Sequence, residues 1–485
     1  MRARDNHQAN YCRGAKIHYL EELIHPRSVA IVGASANPTA KAYDYLKGMI
    51  EFDFPGSLYP INPKASEILG LKAFPSVRDV PGTIDYAISC IPAEAAPQLV
   101  EDCASKGAKV LQLYTAGFSE TGAEEGRRLE EELVRRARRN GMRIIGPNCI
   151  GVHYPEGRLA FGRAKFSLDS GEVGCLVQSG GHAWTLLSQG SLRGIRFSKV
   201  FSFGNASDLN ESDFLEYLAE DPKTRVITAY IEGVKSGQRF LEAIAKAAAA
   251  KPVIIVKGGK TEAGMRAVAS HTGSLAGSDL IWDTILRQTG AIRVYNIDEL
   301  IDTILPFVYF PPMKGHNVGI VGGGGGASVQ AADDCETKGL IVPHLAPEIR
   351  QRLEEFTPLA GSSLRNPVDA VEIWSAQNFL HILEIIAAWD KIDFLLAHAI
   401  IELTAQWKGK SVLEGMIDSL LATKGRLTKP MAVILQSFGT PKGLAMLYDI
   451  QKRFVEARIP VYPTTARAAN AISKFVAYHN RIAST

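Results

Sequence analysis

"RSVAIVGAS", residues 27–35, is a run of β-favouring apolar residues that stops on Gly33 and passes into small and polar residues. A strand that ends in glycine and gives way to a helix-like stretch is the opening of a βα unit. The same pattern recurs at "GSLYPINPK" (56–64), "IDYAISCIP" (84–92), "AKVLQLYTAGF" (108–118) and "MRIIGPNCIG" (142–151). Short apolar runs alternating with helical stretches predict a parallel sheet covered by helices on both faces. These runs therefore predict a small Rossmann-like domain.

The pattern continues beyond it. A second block holds "EVGCLVQSGG" (172–181), "RFSKVFSFGNASD" (196–208), "RVITAYIEG" (225–233), "KPVIIVKGGK" (251–260) and "AIRVYN" (291–296). Pro311-Pro312 with Lys314-Gly315 marks a linker. A third block opens with "HNVGIVGGGGGAS" (316–328) and continues through "IDFLLAHAIIEL" (392–403) and "KPMAVILQSFG" (429–439). The expected organisation is an extension over 1–21 and α/β domains over 22–152, 165–310 and 316–485.

Composition sets outer bounds. The chain has 485 residues, 46% hydrophobic and 22% charged, with a formal net charge of +3. That is an ordinary globular balance, too weakly charged to argue for nucleic acid or a membrane surface. "RRLEEELVRRARRNG" (127–141) interleaves arginine with glutamate and reads as a solvated helix face. The start of the chain has no apolar core of a signal peptide, and no run reaches spanning length, so the expectation is a cytoplasmic protein. Cys12, Cys90, Cys103, Cys149, Cys175 and Cys335 include no CxxC pair, which gives no sign of a zinc site or redox dithiol.

The loops after the strands carry the candidate chemistry. "VGASANPTAK" (32–41) allows close backbone approach at Gly33, and the amides opening the next helix would face an anion. It lacks the full G-x-G-x-x-G, and after the second run "YPINPK" offers Lys64 where a ribose-binding acid would stand. The loop suits a phosphorylated nucleotide better than NAD. "LVQSGG" (176–181) would present the amides of Ser179, Gly180 and Gly181 at the positive end of a helix. The alternative is a plain turn with an N-cap serine. "IEGVKSG" leaves Glu232 at a strand end, where a carboxylate can fix the tautomer of an imidazole. Alone, such a glutamate is a surface residue. "ASHTGSLAG" (269–277) surrounds His271 with small residues, which would leave room for a phosphoryl group on the imidazole; tested singly, such a histidine is more often structural than catalytic. No metal site is expected.

Taken in order, "HPRSVAIVGAS", "YPINPKASEILGLKAFPSV", "TAGFSETG", "IIGPNCIGV", "LVQSGG", "SFGNASD" and "ASHTGSLAG" closely resemble the α subunit of the NDP-forming acyl-CoA synthetases, which include ADP-forming acetate–CoA ligase and succinyl-CoA synthetase. The resemblance runs from about residue 22 to 480 and includes "RNPVDAV" (365–371). It implies a Rossmann-like CoA-binding domain followed by two flavodoxin-like domains. It also implies that coenzyme A meets Gly33, Ser35, Ala36, Asn62, Lys64, Ile91, Pro92, Gly117 and Phe118, with Asn148 near the active-site end of that domain. His271 would be the phosphorylated histidine, Glu232 its supporting carboxylate, and Ser179–Gly181 the terminus that receives phosphate. The implied reaction joins a carboxylic acid to coenzyme A through an acyl phosphate and a phosphohistidine, coupled to ATP and ADP.

Departures from the family pattern shape the remaining expectations. No segment resembles an ATP-grasp domain, and the glycine run at 322–326 lacks the Lys-Ser/Thr of a P-loop. ATP and Mg²⁺ are therefore expected on a separately encoded ATP-grasp β subunit, in an α2β2 assembly. His182 and Trp184 stand where smaller residues are expected. His182 could add a cation beside phosphate, reshape the acyl pocket or face solvent. The five consecutive glycines have no sequence-level explanation. A CoA-binding regulator or scaffold without ligase activity is the alternative function. An NAD(P)-dependent oxidoreductase would rest on the Rossmann-like opening alone.

Overall fold

The computed structural model describes residues 18–162, 169–272 and 278–484, except for the side chains of 269–272. β1 (Ser28–Val32) and β2 (Ser57–Ile61) are followed by a small hairpin, β3 (Glu67–Ile68) and β4 (Leu71–Lys72). β5 (Tyr86–Ser89), β6 (Val110–Leu113) and β7 (Arg143–Ile145) complete the first sheet, which is parallel in the order β2-β1-β5-β6-β7.

β8 (Gly151–His153), β9 (Val173–Val177), β10 (Phe197–Ser202), β11 (Val226–Ile231), β12 (Val253–Lys257) and β13 (Ile292–Val294) form the second sheet, in the order β13-β12-β11-β9-β10-β8. β14 (Val318–Gly322), β15 (Ser363–Leu364), β16 (Val368–Asp369), β17 (Phe394–Ile400), β18 (Met431–Gln436) and β19 (Val461–Tyr462) form the third, in the order β15-β16-β14-β17-β18-β19. Apart from one antiparallel edge strand each, β8 and β15, these two sheets are also parallel. Counting parallel strands alone, all three sheets share the order 2-1-3-4-5 of a doubly wound fold.

The strands were readable because a covered parallel sheet buries both of its faces. β1, β5, β6, β9, β10 and β14 are buried at every residue. One stretch reads differently in three dimensions. Residues 142–151 look like a single strand, but β7 ends at Ile145 and the chain turns through a cis Gly146–Pro147 bond and Asn148 at φ 56. It then enters β8, which pairs with β10 of the second sheet.

The sheets are joined by cores and ion pairs. One apolar cluster runs from Val29 and Tyr45 of the first domain to Phe201 and Phe214 of the second. Another joins the second and third through Leu305 and Phe475. There the helix Ile297–Tyr309 packs on the helix Thr465–Ser484, and buried Asp302 accepts hydrogen bonds from Arg193 (3.1 Å) and Arg467. At the other end the helix Tyr19–Ile24 is tied to the second domain by Tyr19 donating to Asp213 (2.6 Å) and by Tyr217 donating to Glu21. No described helix is long and apolar enough to cross a membrane.

Candidate active site

In a doubly wound sheet the two central strands send their connections to opposite faces, which opens a crevice at their carboxyl ends. Three such points exist here, between β1 and β5, β9 and β11, and β14 and β17. The first brings Gly33 beside Ile91, the second Ser179 beside Glu232, and the third Gly322 beside His398.

At the second point Ser179 caps the helix Gly180–Leu192, its Oγ accepting the His182 amide at 3.4 Å. The alternative reading of this stretch, a capped turn, is thus present in the geometry. Capping uses one N–H of the first turn and leaves others directed out of the terminus. Gln178, the last residue before the cap, is 2% exposed. Its Oε1 accepts the amides of Glu232 (2.8 Å) and Gly233 (3.2 Å), so the two strand ends are bolted together.

Glu232 is 6% exposed and not a surface residue. The Tyr230 hydroxyl bonds to it, and burial with this negative neighbour pushes the Tyr230 pKa up. The His182 ring lies 4.4 Å from the Tyr230 ring. Burial lowers the His182 pKa, opposed by the charge of Glu232. His182 is therefore half-buried, in a cluster with Tyr230 and Glu232.

A cleft of about 420 Å³ lies where this terminus meets the first domain. Gln178, Ser179, Gly180, Gly181 and Trp184 line one side, and Asn148, Cys149, Ile150, Lys41 and Tyr114 line the other. Lys41 opens the helix Lys41–Glu51, and its Nζ stands over Tyr45 (5.0 Å) and Trp184 (5.1 Å). Burial lowers the Lys41 pKa, against the pull of Asp44. Asn148 is held by its amide, which donates to Thr115 O (2.9 Å).

The expected coenzyme A loops line the carboxyl edge of the first sheet. Gly33 has φ 83, and a Cβ there would come within 3.1 Å of Cys90 O and the Ile91 side chain. The amides of Gly33 and Ala34 donate to Ile61 O, and Asn62 Nδ2 donates to Ala34 O (2.8 Å). Asn62 also accepts the Lys64 amide at 2.8 Å, so these two loops form one surface. Ser35 accepts the Asn37 amide, while Ala36, Lys64 and Pro92 are exposed and Ile91 is half-buried. Gly117 donates to Glu120 at 2.5 Å. Phe118 differs from the rest: its ring is fully buried in the first domain's core. Of the residues expected near coenzyme A, Asn148 lines the cleft, and the others, apart from buried Phe118, lie in the loops at the carboxyl ends of β1, β2, β5 and β6.

His271 lies in the last turn of the helix Glu262–Thr272, so its backbone is helical where the small-residue run predicted a loop. Alanines in 262–272 favour the helix. The His271 side chain and residues 273–277 lie outside the described residues. The helix starts after β12, beside the Glu232 strand, and packs against the turn Ser119–Thr121 of the first domain.

At the third switch point the glycine run acquires a steric reason. Gly322, Gly323 and Gly324 all have positive φ (94°, 93° and 82°). A Cβ on Gly322 would sit 2.5 Å from His398 O, and one on Gly323 2.4 Å from His398 Nδ1. Sequence reasoning missed this pairing, and also Lys41, Tyr114 and Gln178. The signal available was the strand-end position of Gln178 in "LVQSGG".

Comparison with known proteins agrees with this architecture. Residues 27–155 match the CoA binding domain family and residues 170–306 the succinyl-CoA ligase like flavodoxin domain. The α subunit of ADP-forming acetate–CoA ligase I of Pyrococcus furiosus is 35% identical over 461 residues, covering 94% of this chain and 96% of the relative. The chain belongs to the ADP-forming acetate–CoA ligase α-subunit family. Its members are acid–thiol ligases. The dinucleotide-forming acetyl-coenzyme A synthetase 1 of Candidatus Korarchaeum cryptofilum, solved with phosphate and ADP, superposes with a TM-score of 0.81 at 32% identity. That match covers 96% of this chain and 99% of the other. The ADP-forming acetate–CoA ligase I of Archaeoglobus fulgidus is 37% identical over 82% of this chain, which spans 57% of that longer relative.

Proposed function

We propose that this chain is the α subunit of an ADP-forming acyl-CoA ligase that works through an acyl phosphate and a phosphohistidine at His271, in the cytoplasm. The observation that carries this reading is the cleft in which the Ser179–Gly181 terminus faces the Asn148 loop of the CoA-binding domain, with Glu232 on the adjoining strand end. Coenzyme A lies along Gly33–Ala36, Asn62–Lys64, Ile91-Pro92 and Gly117, and its thiol reaches the cleft past Asn148. Phe118 contributes by packing beneath that edge.

In the acid-releasing direction a phosphate oxygen attacks the thioester carbonyl. The C–S bond breaks, and coenzyme A leaves as a thiolate that takes up a proton. The imidazole of His271 then attacks phosphorus, and the P–O bond to the acyl group breaks to release the carboxylate. Helix amides neutralise the phosphoryl oxygens, and Glu232 holds the imidazole proton. Transfer to ADP completes the cycle, and synthesis of the thioester is the reverse. The nucleotide and Mg²⁺ belong to a separate ATP-grasp β subunit, within an α2β2 assembly. The "subunit alpha" name of the Pyrococcus relative and the greater length of the Archaeoglobus one support such a partner.

The test is release of thiol. The chain incubated with an acyl-CoA and phosphate, without nucleotide, should free coenzyme A in a phosphate-dependent burst. Coenzyme A binding without thiol release, even with an ATP-grasp subunit present, would favour the regulator instead.

A further inference from the structure

Gln178 carries an unexplained buried donor. Both amides of the β11 end, Glu232 N and Gly233 N, point at its Oε1, which fixes which end of the side-chain amide is oxygen. Its Nε2 is therefore an NH₂ group. That nitrogen is buried and has no hydrogen-bond partner among the described residues. A buried amide without an acceptor costs stability, and native structures rarely leave one unless a ligand or water completes it. Gln178 lines the cleft beside Ser179, Gly180 and Gly181, where a bound anion would meet the helix terminus.

We infer that Gln178 is a substrate-binding residue whose Nε2 donates to a phosphoryl oxygen of the phosphate or acyl phosphate held at the Ser179–Gly181 terminus. The inference rests on the phosphate site proposed above and adds a residue to it. The geometry also gives the side chain a second task. While Nε2 holds the phosphoryl group, Oε1 grips the backbone of Glu232, so one amide sets the phosphate against the strand end that bears the carboxylate.

Gln178→Glu separates these tasks. It keeps an oxygen for the Glu232 and Gly233 amides and replaces the donor by a negative oxygen. Gln178→Leu, which removes both, is the companion variant. Binding of inorganic phosphate and of acetyl phosphate is measured by calorimetry on the full chain, with coenzyme A binding and the melting temperature alongside. We expect Gln178→Glu to weaken both phosphoryl ligands by about tenfold or more, the worth of a hydrogen bond to a charged group. Coenzyme A affinity should stay near the parent value, while melting falls because a buried carboxylate replaces a neutral amide. Parent-like affinity for both ligands in Gln178→Glu overturns the inference and leaves the phosphate site standing. Weakening of acetyl phosphate alone also overturns it, because the acceptor would then be the acyl oxygen. No phosphate binding by the parent chain overturns both the inference and the site it rests on.

Discussion

Replacing Asp208 by alanine removes a carboxylate that holds the first domain against the second. Its side chain is wholly buried and accepts from Arg138 Nη2 (2.7 Å), Arg143 Nε (2.8 Å) and the Ile144 amide (2.9 Å). It sits in a segment that runs back along the Asn148 turn: Asn205 N donates to Pro147 O, Ser207 N to Gly146 O and Leu209 N to Ile144 O. Arg138 is 59% exposed and can return to water, so its share is at most about 1 kcal/mol. Arg143 is 26% exposed, and its charge-assisted bond contributes about 1.5–3 kcal/mol. The Ile144 amide, left without this acceptor, costs about 1–3 kcal/mol. The variant no longer desolvates a carboxylate, which sets the net loss near 3 kcal/mol, the low end for breaking a buried pair. The assay is thermal unfolding followed by circular dichroism. Asp208→Ala should lower the transition by on the order of 5–10 °C. Asp208→Asn, which keeps one acceptor oxygen, should fall between the two. A variant that melts with the parent would refute the reasoning, since it would mean that this carboxylate does not clamp the domain junction.

Three further outcomes are expected. Burial lowers the His153 pKa to about 4, whereas the unfolded chain takes up its proton near 6.5. Stability should therefore fall as pH drops from about 6.5 to 4, by at most about 3 kcal/mol, and urea titrations of His153→Leu should lack that component. Lys199→Met strands Asp221, its buried partner at 2.9 Å, and should cost about 3–5 kcal/mol in the same titrations. Adding Asp221→Leu should recover part of that loss, and a single variant as stable as the parent would contradict the buried pair. Gly180→Ala puts a Cβ 3.1 Å from the Ile150 side chain, against a helix-propensity gain of at most about 1 kcal/mol. Its melting should stay near the parent's while phosphate affinity by calorimetry drops about tenfold; unchanged affinity would clear this terminus of the role.

How much of this was legible depends on which interactions decide each feature. β1, β9 and β14 could be read as strands because a parallel sheet buried on both faces demands unbroken apolar runs. The loops at their carboxyl ends followed from the same reasoning. The fate of 146–153 did not, because only contact with β10 decides that Gly151–His153 leaves the first sheet. Nothing in the local sequence marks Lys41 or Tyr114 as a site residue. They join the site because helix Lys41–Glu51 and the end of β6 meet helix Gly180–Leu192 across a domain boundary. Glutamate 232 was an ambiguous strand-end acid until the register of β9 and β11 put its amide on Gln178. Gly322 and Gly323 made sense only with His398 opposite them. Local pattern encodes the elements, while site membership comes from pairings between residues distant in the chain.

The most direct test of the phosphohistidine is to follow phosphate onto the chain. The protein is incubated with acetyl-CoA and radiolabelled phosphate in the absence of nucleotide, and the label is mapped by peptide mass spectrometry and acid–base stability. The account predicts acid-labile, base-stable phosphate on His271, absent in His271→Asn and reduced in Glu232→Gln. Label that persists at the parent level in His271→Asn would contradict it.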